Sequence, residues 1–157
     1  MPLTVQSSAF KNGEPIPQLY SGEGENVSPS IAWKGAPVGT KEFALICEDP
    51  DASGGIFIHW VVYRIPSTAV DLKERMPEYR VLPGSIIRQG VNSGGKIGYT
   101  GPKPPPGAAH RYFFRLYALS ASLDLEPGAT AAQLKRALSG NVLAEAEWMG
   151  TYQRSRA

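Results

Sequence analysis

Apolar residues in this chain come in short runs separated by turn residues, and the runs have the length and composition of β-strands. Residues Phe43 to Glu48 (FALICE) form an apolar run closed by Asp49-Pro50-Asp51. Pro50 disfavours a helical Asp49 and ends the strand. Residues Ile56 to Ile65 (IFIHWVVYRI) are rich in β-branched and aromatic side chains and stop at Pro66. A third run, His110 to Leu119 (HRYFFRLYAL), has the same character. Side chains two apart share one face of a strand. That places Phe57, His59, Val61 and Tyr63 together, and likewise His110, Tyr112 and Phe114. Between these runs, Pro83 to Gly107 is dense in glycine and proline and reads as a long structured loop, a type of segment that often carries function.

One helix is predicted. Thr130 and Gln133 have capping-box spacing, Leu134 and Leu138 form an i, i+4 apolar pair, and Gly140 stands where a helix stops. The tail from Val142 to Arg154 has helix-favouring composition, yet Ala144, Ala146, Trp148, Gly150 and Tyr152 alternate. The alternation predicts a strand.

Composition narrows the class. The 17 glycines and 14 prolines make up about a fifth of the 157 residues, which favours many turns over a helical bundle. With 42% hydrophobic and 19% charged residues the chain is globular, and its length fits a single domain spanning 1–157. Net charge is +2 with the basic residues scattered, so the footprint of a nucleic-acid binder is missing. The single cysteine excludes an internal disulfide framework and a cysteine-based zinc site. No run approaches the roughly 18 apolar residues of a membrane span, so no membrane protein is expected. MPLTVQSSAF carries neither a basic nor an apolar leader region, which points to the cytoplasm. An exported mature chain whose leader has been removed would show the same features.

Several motifs fail on inspection. Gly90 to Lys96 (GVNSGGK) spells most of a phosphate loop, but Ile97 stands where a Mg²⁺-binding Ser or Thr is needed, and the glycines and prolines beyond it oppose a helix. Asp49, Asp51, Ser53 and Gly54 start like a calcium loop, but its twelfth position is Trp60 rather than a glutamate. Cys47, at the end of an apolar strand, reads as a packing residue. No Gly-x-Ser-x-Gly elbow is present. No cofactor and no metal are expected.

The constellation that survives is built on the two histidines. His59 follows Asp51 by eight residues, a spacing that suits a hairpin bringing an aspartate back beside the imidazole. His110 follows the run from Tyr99 to Gly107 (YTGPKPPPG) almost directly. ALICEDPDA, IHWVVYRIP, YTGPKPPPG and HRYFFRLYAL, in this order, resemble the phosphatidylethanolamine-binding protein family, in particular its bacterial branch of Raf kinase inhibitor-like proteins. NVSPSIAWKGAP before them and ATAAQLKRALSGNVLAEAEWMGTYQR after them extend the resemblance over nearly the whole chain.

The resemblance implies a mainly β fold, an antiparallel β-sandwich with a few short helices. It also implies a shallow pocket at the sheet ends for phosphate, acetate or a phospholipid head group. Carried over by motif, the ligand-binding residues are Asp49, Asp51, His59, Gly101, Pro102, His110 and Tyr112. Ser53 stands where the family usually has a proline, Phe57 alone matches an aromatic before the strand histidine, and Lys103 replaces a common cysteine. A homodimer is implied as well, with Trp33, Trp148 and Met149 as candidate contacts, although core packing is the preferred role for them. The function expected is non-catalytic binding of a small anion or phosphorylated group. Kinase- or protease-inhibitor relatives suggest a regulatory role with no protein target named. The alternative is a hydrolase using the histidines and aspartates for acid–base chemistry, and the absence of an activated nucleophile counts against it.

Overall fold

A computed structural model describes residues 2–154; Met1 and residues 155–157 of the expected 1–157 unit lie outside the described residues. Eight strands and one α-helix follow in the order β1 (Thr4–Gln6), β2 (Ile31–Lys34), β3 (Glu42–Asp49), β4 (Phe57–Pro66), β5 (Asp71–Leu72), β6 (Arg88–Gln89), β7 (His110–Leu119), α1 (Ala131–Leu138) and β8 (Val142–Tyr152). All strand pairings are antiparallel. They build a three-stranded sheet, β1-β2-β5, and a five-stranded sheet, β6-β4-β3-β7-β8. The mainly β, two-sheet architecture expected from the sequence is the one observed.

The two sheets enclose the larger core. Val5, Ile31, Trp33 and Leu72 from the small sheet meet Phe43, Leu45, Trp60, Val62, Phe114 and Leu116 from the large one. The opposite face of the large sheet is covered by α1, where Ala44, Ile46, Val61 and Tyr63 pack with Leu134 and Leu138. Central strand β3 is therefore buried on both sides, which explains why FALIC is continuously apolar instead of alternating. The tail forms strand β8, with Gly150 and Tyr152 buried and Glu145 and Glu147 outward, as the alternation predicted. Trp33 and Trp148, candidates for a dimer contact, serve the core. Trp33 is buried and donates to the Ala69 carbonyl; Trp148 packs against the core and donates to the Phe10 carbonyl. Cys47 is a buried core residue, as its strand position suggested, and burial pushes its thiol pKa well up.

One expectation about facing is corrected. Cys47 pairs with Trp60 but Glu48 pairs with Ile58, so His59 is an extra residue in β4. Such a bulge resets the alternation of side chains and often re-aims one of them. His59 and the following Trp60 both turn toward the side occupied by Tyr112, whereas Val61 and Tyr63 turn toward α1. Phe57 stays with His59, their ring centroids 4.7 Å apart, but Val61 and Tyr63 do not share that face. A second slip lies between Phe43 and Leu45, opposite Arg64, whose φ is 55°. Arg64 reaches buried Glu42 at 2.7 Å, and the same carboxylate accepts from the Leu123 N–H at 3.0 Å.

α1 carries the reciprocal capping box expected from its sequence, with Thr130 and Gln133 each bonding the other's backbone N–H. Leu134 is completely buried. Leu134→Ala should cost about 2–5 kcal/mol by opening a cavity under the sheet, and Thr130→Ala about 1 kcal/mol by removing the cap. Denaturant unfolding checks both, and equal costs would contradict this account of how the helix is held.

Candidate functional site

The end of the large sheet where β3 stops and β7 starts carries an open cavity of about 220 Å³. Its wall includes Asp49, Ser53, Phe57, His59, Thr100, Gly101, Lys103, His110 and Tyr112. Three segments distant in sequence supply these residues, and each is held by identifiable bonds.

The first is the turn after β3. Strand pairing between β3 and β7 ends at Glu48 and Phe113. Beyond that point two acidic residues take over. Asp49 Oδ1 accepts the N–H of Asp51 at 2.7 Å, closing the turn, and Oδ2 lies 2.7 Å from His110 Nδ1. Asp51 grips the neighbouring residue, accepting Arg111 N, Nε and Nη2, each at 2.9 Å. The Arg111 guanidinium holds the Asp51 carboxyl down at about 2. Of the two aspartates, Asp49 lies on the cavity wall with its side chain 4% exposed, and Asp51 ties the turn to β7 from outside the wall. A bidentate guanidinium–carboxylate pair suits that holding role.

The second segment is β4 with its bulge, and the third is the long loop that follows. Thr100 brackets His59 from both sides. Its N–H donates to the His59 carbonyl at 2.9 Å, and its carbonyl accepts from His59 Nδ1 at 2.6 Å. The hairpin expected from the sequence does bring Asp49, paired with Phe57, back to the wall that carries His59, but without a hydrogen bond to that ring. Asp49 bonds His110, while His59 is fixed by a backbone carbonyl. Ser93, from the stretch that mimicked a phosphate loop, donates its N–H to the Ile58 carbonyl and accepts the Ile58 N–H. Asn92 closes that stretch as a tight turn by accepting from Gly94 and Lys96. No helix follows it.

The loop itself rests on the segment 20–26. Tyr99 donates to the Tyr20 carbonyl, Gly101 N–H to the Asn26 side chain at 2.6 Å, and Gly22 N–H to the Pro102 carbonyl at 2.8 Å. A Cβ on Gly101 would lie 2.0 Å from the Tyr20 carbonyl oxygen. Glycine is required there by this backbone approach, and its N–H is already committed. Pro102 is buried and lies behind the wall, not on it. Lys103 stands on the wall with its aliphatic stem over Gly22.

His59, His110 and Tyr112 line the same cavity. The His59 and Tyr112 rings make an edge contact with centroids 5.1 Å apart, and Tyr112 shares a face of β7 with His110. Burial lowers the His59 pKa below its ordinary 6.5, against the raising influence of the Thr100 carbonyl and of Asp49. Burial raises the Tyr112 pKa, with Asp49 adding to it, so its hydroxyl keeps its proton.

The model for the family described as "Phosphatidylethanolamine-binding protein" matches residues 6–153. The chain belongs to the phosphatidylethanolamine-binding protein family. It is 45% identical over 152 residues to the UPF0098 protein of Methanothermobacter thermautotrophicus, covering 97% of this chain and 99% of that one. The UPF0098 protein of Aquifex aeolicus is 47% identical over 154 residues, covering 97% and 89%. Among solved structures, E. coli YbcL, described as a new member of the mammalian family, superposes with a TM-score of 0.90 at 33% identity and covers 99% of this chain and all of its own.

For this family member, the structure brings Asp49, His59, Gly101, His110 and Tyr112 to one wall, and leaves Asp51 and Pro102 behind it. Thr100 and Asn26 escaped the sequence analysis. They act through a carbonyl and through a side chain on a distant loop, and neither leaves a motif. Two outcomes are expected. Gly101→Ala should destabilise the fold by at least about 1–3 kcal/mol, since backbone must yield to admit the methyl group; an unchanged unfolding midpoint would contradict the close approach. His59 should titrate below 6.5 by NMR. The folded chain binds this proton less readily than the unfolded chain. Its effect on stability is therefore absent above pH 6.5, destabilising as pH falls through 6.5, and constant once pH is below the folded value. A His59 pKa above 6.5 would reverse that sign.

Proposed function

We propose that this family member is a non-catalytic binding protein for a small anion or phosphorylated group, held in the cavity between His59 and His110. The observation that carries the reading is the Asp49–His110 pair at 2.7 Å, opening onto the same cavity as His59. An acid behind one imidazole orients that ring, and an imidazole that carries both its protons donates to an anion. Tyr112 adds a hydroxyl donor that stays protonated, and Lys103 adds an ammonium group on the wall. The cavity, at about 220 Å³, lies below the ~300–1,000 Å³ of pockets for drug-sized ligands. Phosphate, acetate or a phospholipid head group suits that size.

Charge-assisted hydrogen bonds contribute about 1.5–3 kcal/mol each. Three or four of them, set against desolvation and ordering, give roughly micromolar to millimolar affinity for a simple anion. A ligand that also touches Phe57 and the proline-lined rim would bind more tightly. The family description names a phospholipid, and for this chain we propose the anionic part of such a head group as the recognised chemistry.

An NMR titration with inorganic phosphate, acetate and phosphorylethanolamine tests the reading. The His59 and His110 ring signals should move together, His110→Ala should weaken binding at least about tenfold, and phosphorylethanolamine should be recovered intact. Rings that ignore all three compounds would refute an anion site here, and turnover abolished in His110→Ala would replace binding with catalysis.

A further inference from the structure

The partners of the two imidazoles decide which nitrogen of each carries a proton. The Thr100 carbonyl, 2.6 Å from His59 Nδ1, can only accept, so that nitrogen is the N–H. The Asp49 carboxylate, 2.7 Å from His110 Nδ1, assigns the proton there in the same way. Both rings are thus left with Nε2 for the cavity. In a neutral imidazole of this tautomer, Nε2 is a lone pair, and a lone pair repels the oxygen of an anion.

The other groups facing His59 are Asp49 from the end of β3, His110 and Tyr112 from β7, and Lys103 from the loop. Burial works against a charge on His59, and so does a charge on His110. Two imidazolium rings in one small cavity would repel each other, so adding a single proton is the favoured change. An arriving anion supplies the opposite charge that makes this proton stable, and the proton supplies the donor that the anion lacks.

We propose that the site takes up its anion together with one proton, held at Nε2 of one of the two imidazoles. What binds is, in sum, the acid. The inference rests on the anion-binding reading above and names its ligand class: weak acids, carboxylic or phosphoric, taken from solution as anion plus proton. Affinity rises as pH falls, because linkage requires that a bound anion and a bound proton strengthen each other equally.

Acetate is the probe, since near pH 8 it carries no proton of its own. Calorimetric titration in a series of buffers with different ionisation enthalpies should give an observed enthalpy that varies with the buffer, with a slope of about one proton taken up per acetate bound. The acetate affinity measured by NMR should fall as pH rises above neutrality. Nitrogen-15 spectra of the rings should show one more imidazolium in the complex than in the free protein. Lys103→Met should weaken acetate binding without changing the proton count. Binding with a slope near zero would overturn this inference while leaving the anion site in place, because Tyr112 and Lys103 would then suffice as donors. If neither acetate nor phosphate bound at all, the anion site itself would fall.

Discussion

The constraint on which the rest depends is that β3 has no free side. Its two edges are hydrogen-bonded to β4 and β7, one face packs into the inter-sheet core, and the other packs under α1. All eight of its residues are buried. Interiors packed in this way transmit small displacements as strain, so the strand is held along its length. Asp49 is its last residue. A carboxylate placed by a two-face-buried strand can hold His110 at a set position without help from the ligand, and such preorganisation lowers the ordering cost of binding.

From Asp49 outward, polar contacts replace packing. The turn after β3 joins the start of β7 through adjacent acids and bases, Asp49 to His110 and Asp51 to Arg111. On the other wall, the long loop is fastened to residues 20–26 and to β4, and Thr100 bonds His59 through both its N–H and its carbonyl. Gln89 secures the base of the same loop. Its amide oxygen accepts the Trp60 indole at 2.8 Å, and its nitrogen donates to the carbonyls of Pro77 and Tyr79. The cavity is the gap left between these two hydrogen-bonded walls.

Strands were legible in the sequence because burial on one or both faces writes directly into residue type. FALICE, IFIHWVVYRI and HRYFFRLYAL correspond to β3, β4 and β7, and the Thr130–Gln133 spacing marks α1. What was not legible is where alternation breaks. The bulge at His59 leaves no compositional trace, so period-two reasoning placed Val61 and Tyr63 on the wrong face. The site was legible at the level of which segments converge. Which atoms meet was not, since Thr100 acts through its carbonyl, Asp49 bonds the distant His110, and Gly101 is small for the sake of the Tyr20 backbone. Backbone-mediated roles place almost no demand on side-chain identity.

A site that combines aspartates with a proposed anion looks contradictory, and the resolution lies in separating the charges. Asp51 is neutralised by a bidentate guanidinium outside the wall, so the cavity feels it as part of a dipolar pair. Asp49 has both oxygens engaged, Oδ2 by the His110 ring and Oδ1 by the Asp51 N–H. Had His59 been the ring paired with the acid, its deeper burial would have required an ion pair in drier surroundings, where desolvation costs more than the pairing returns. Giving the carboxylate to the more exposed His110, and a neutral carbonyl to the buried His59, places an acid beside one ring and sets burial against a charge on the other. That asymmetry makes a single proton, rather than none or two, the natural companion of a bound anion.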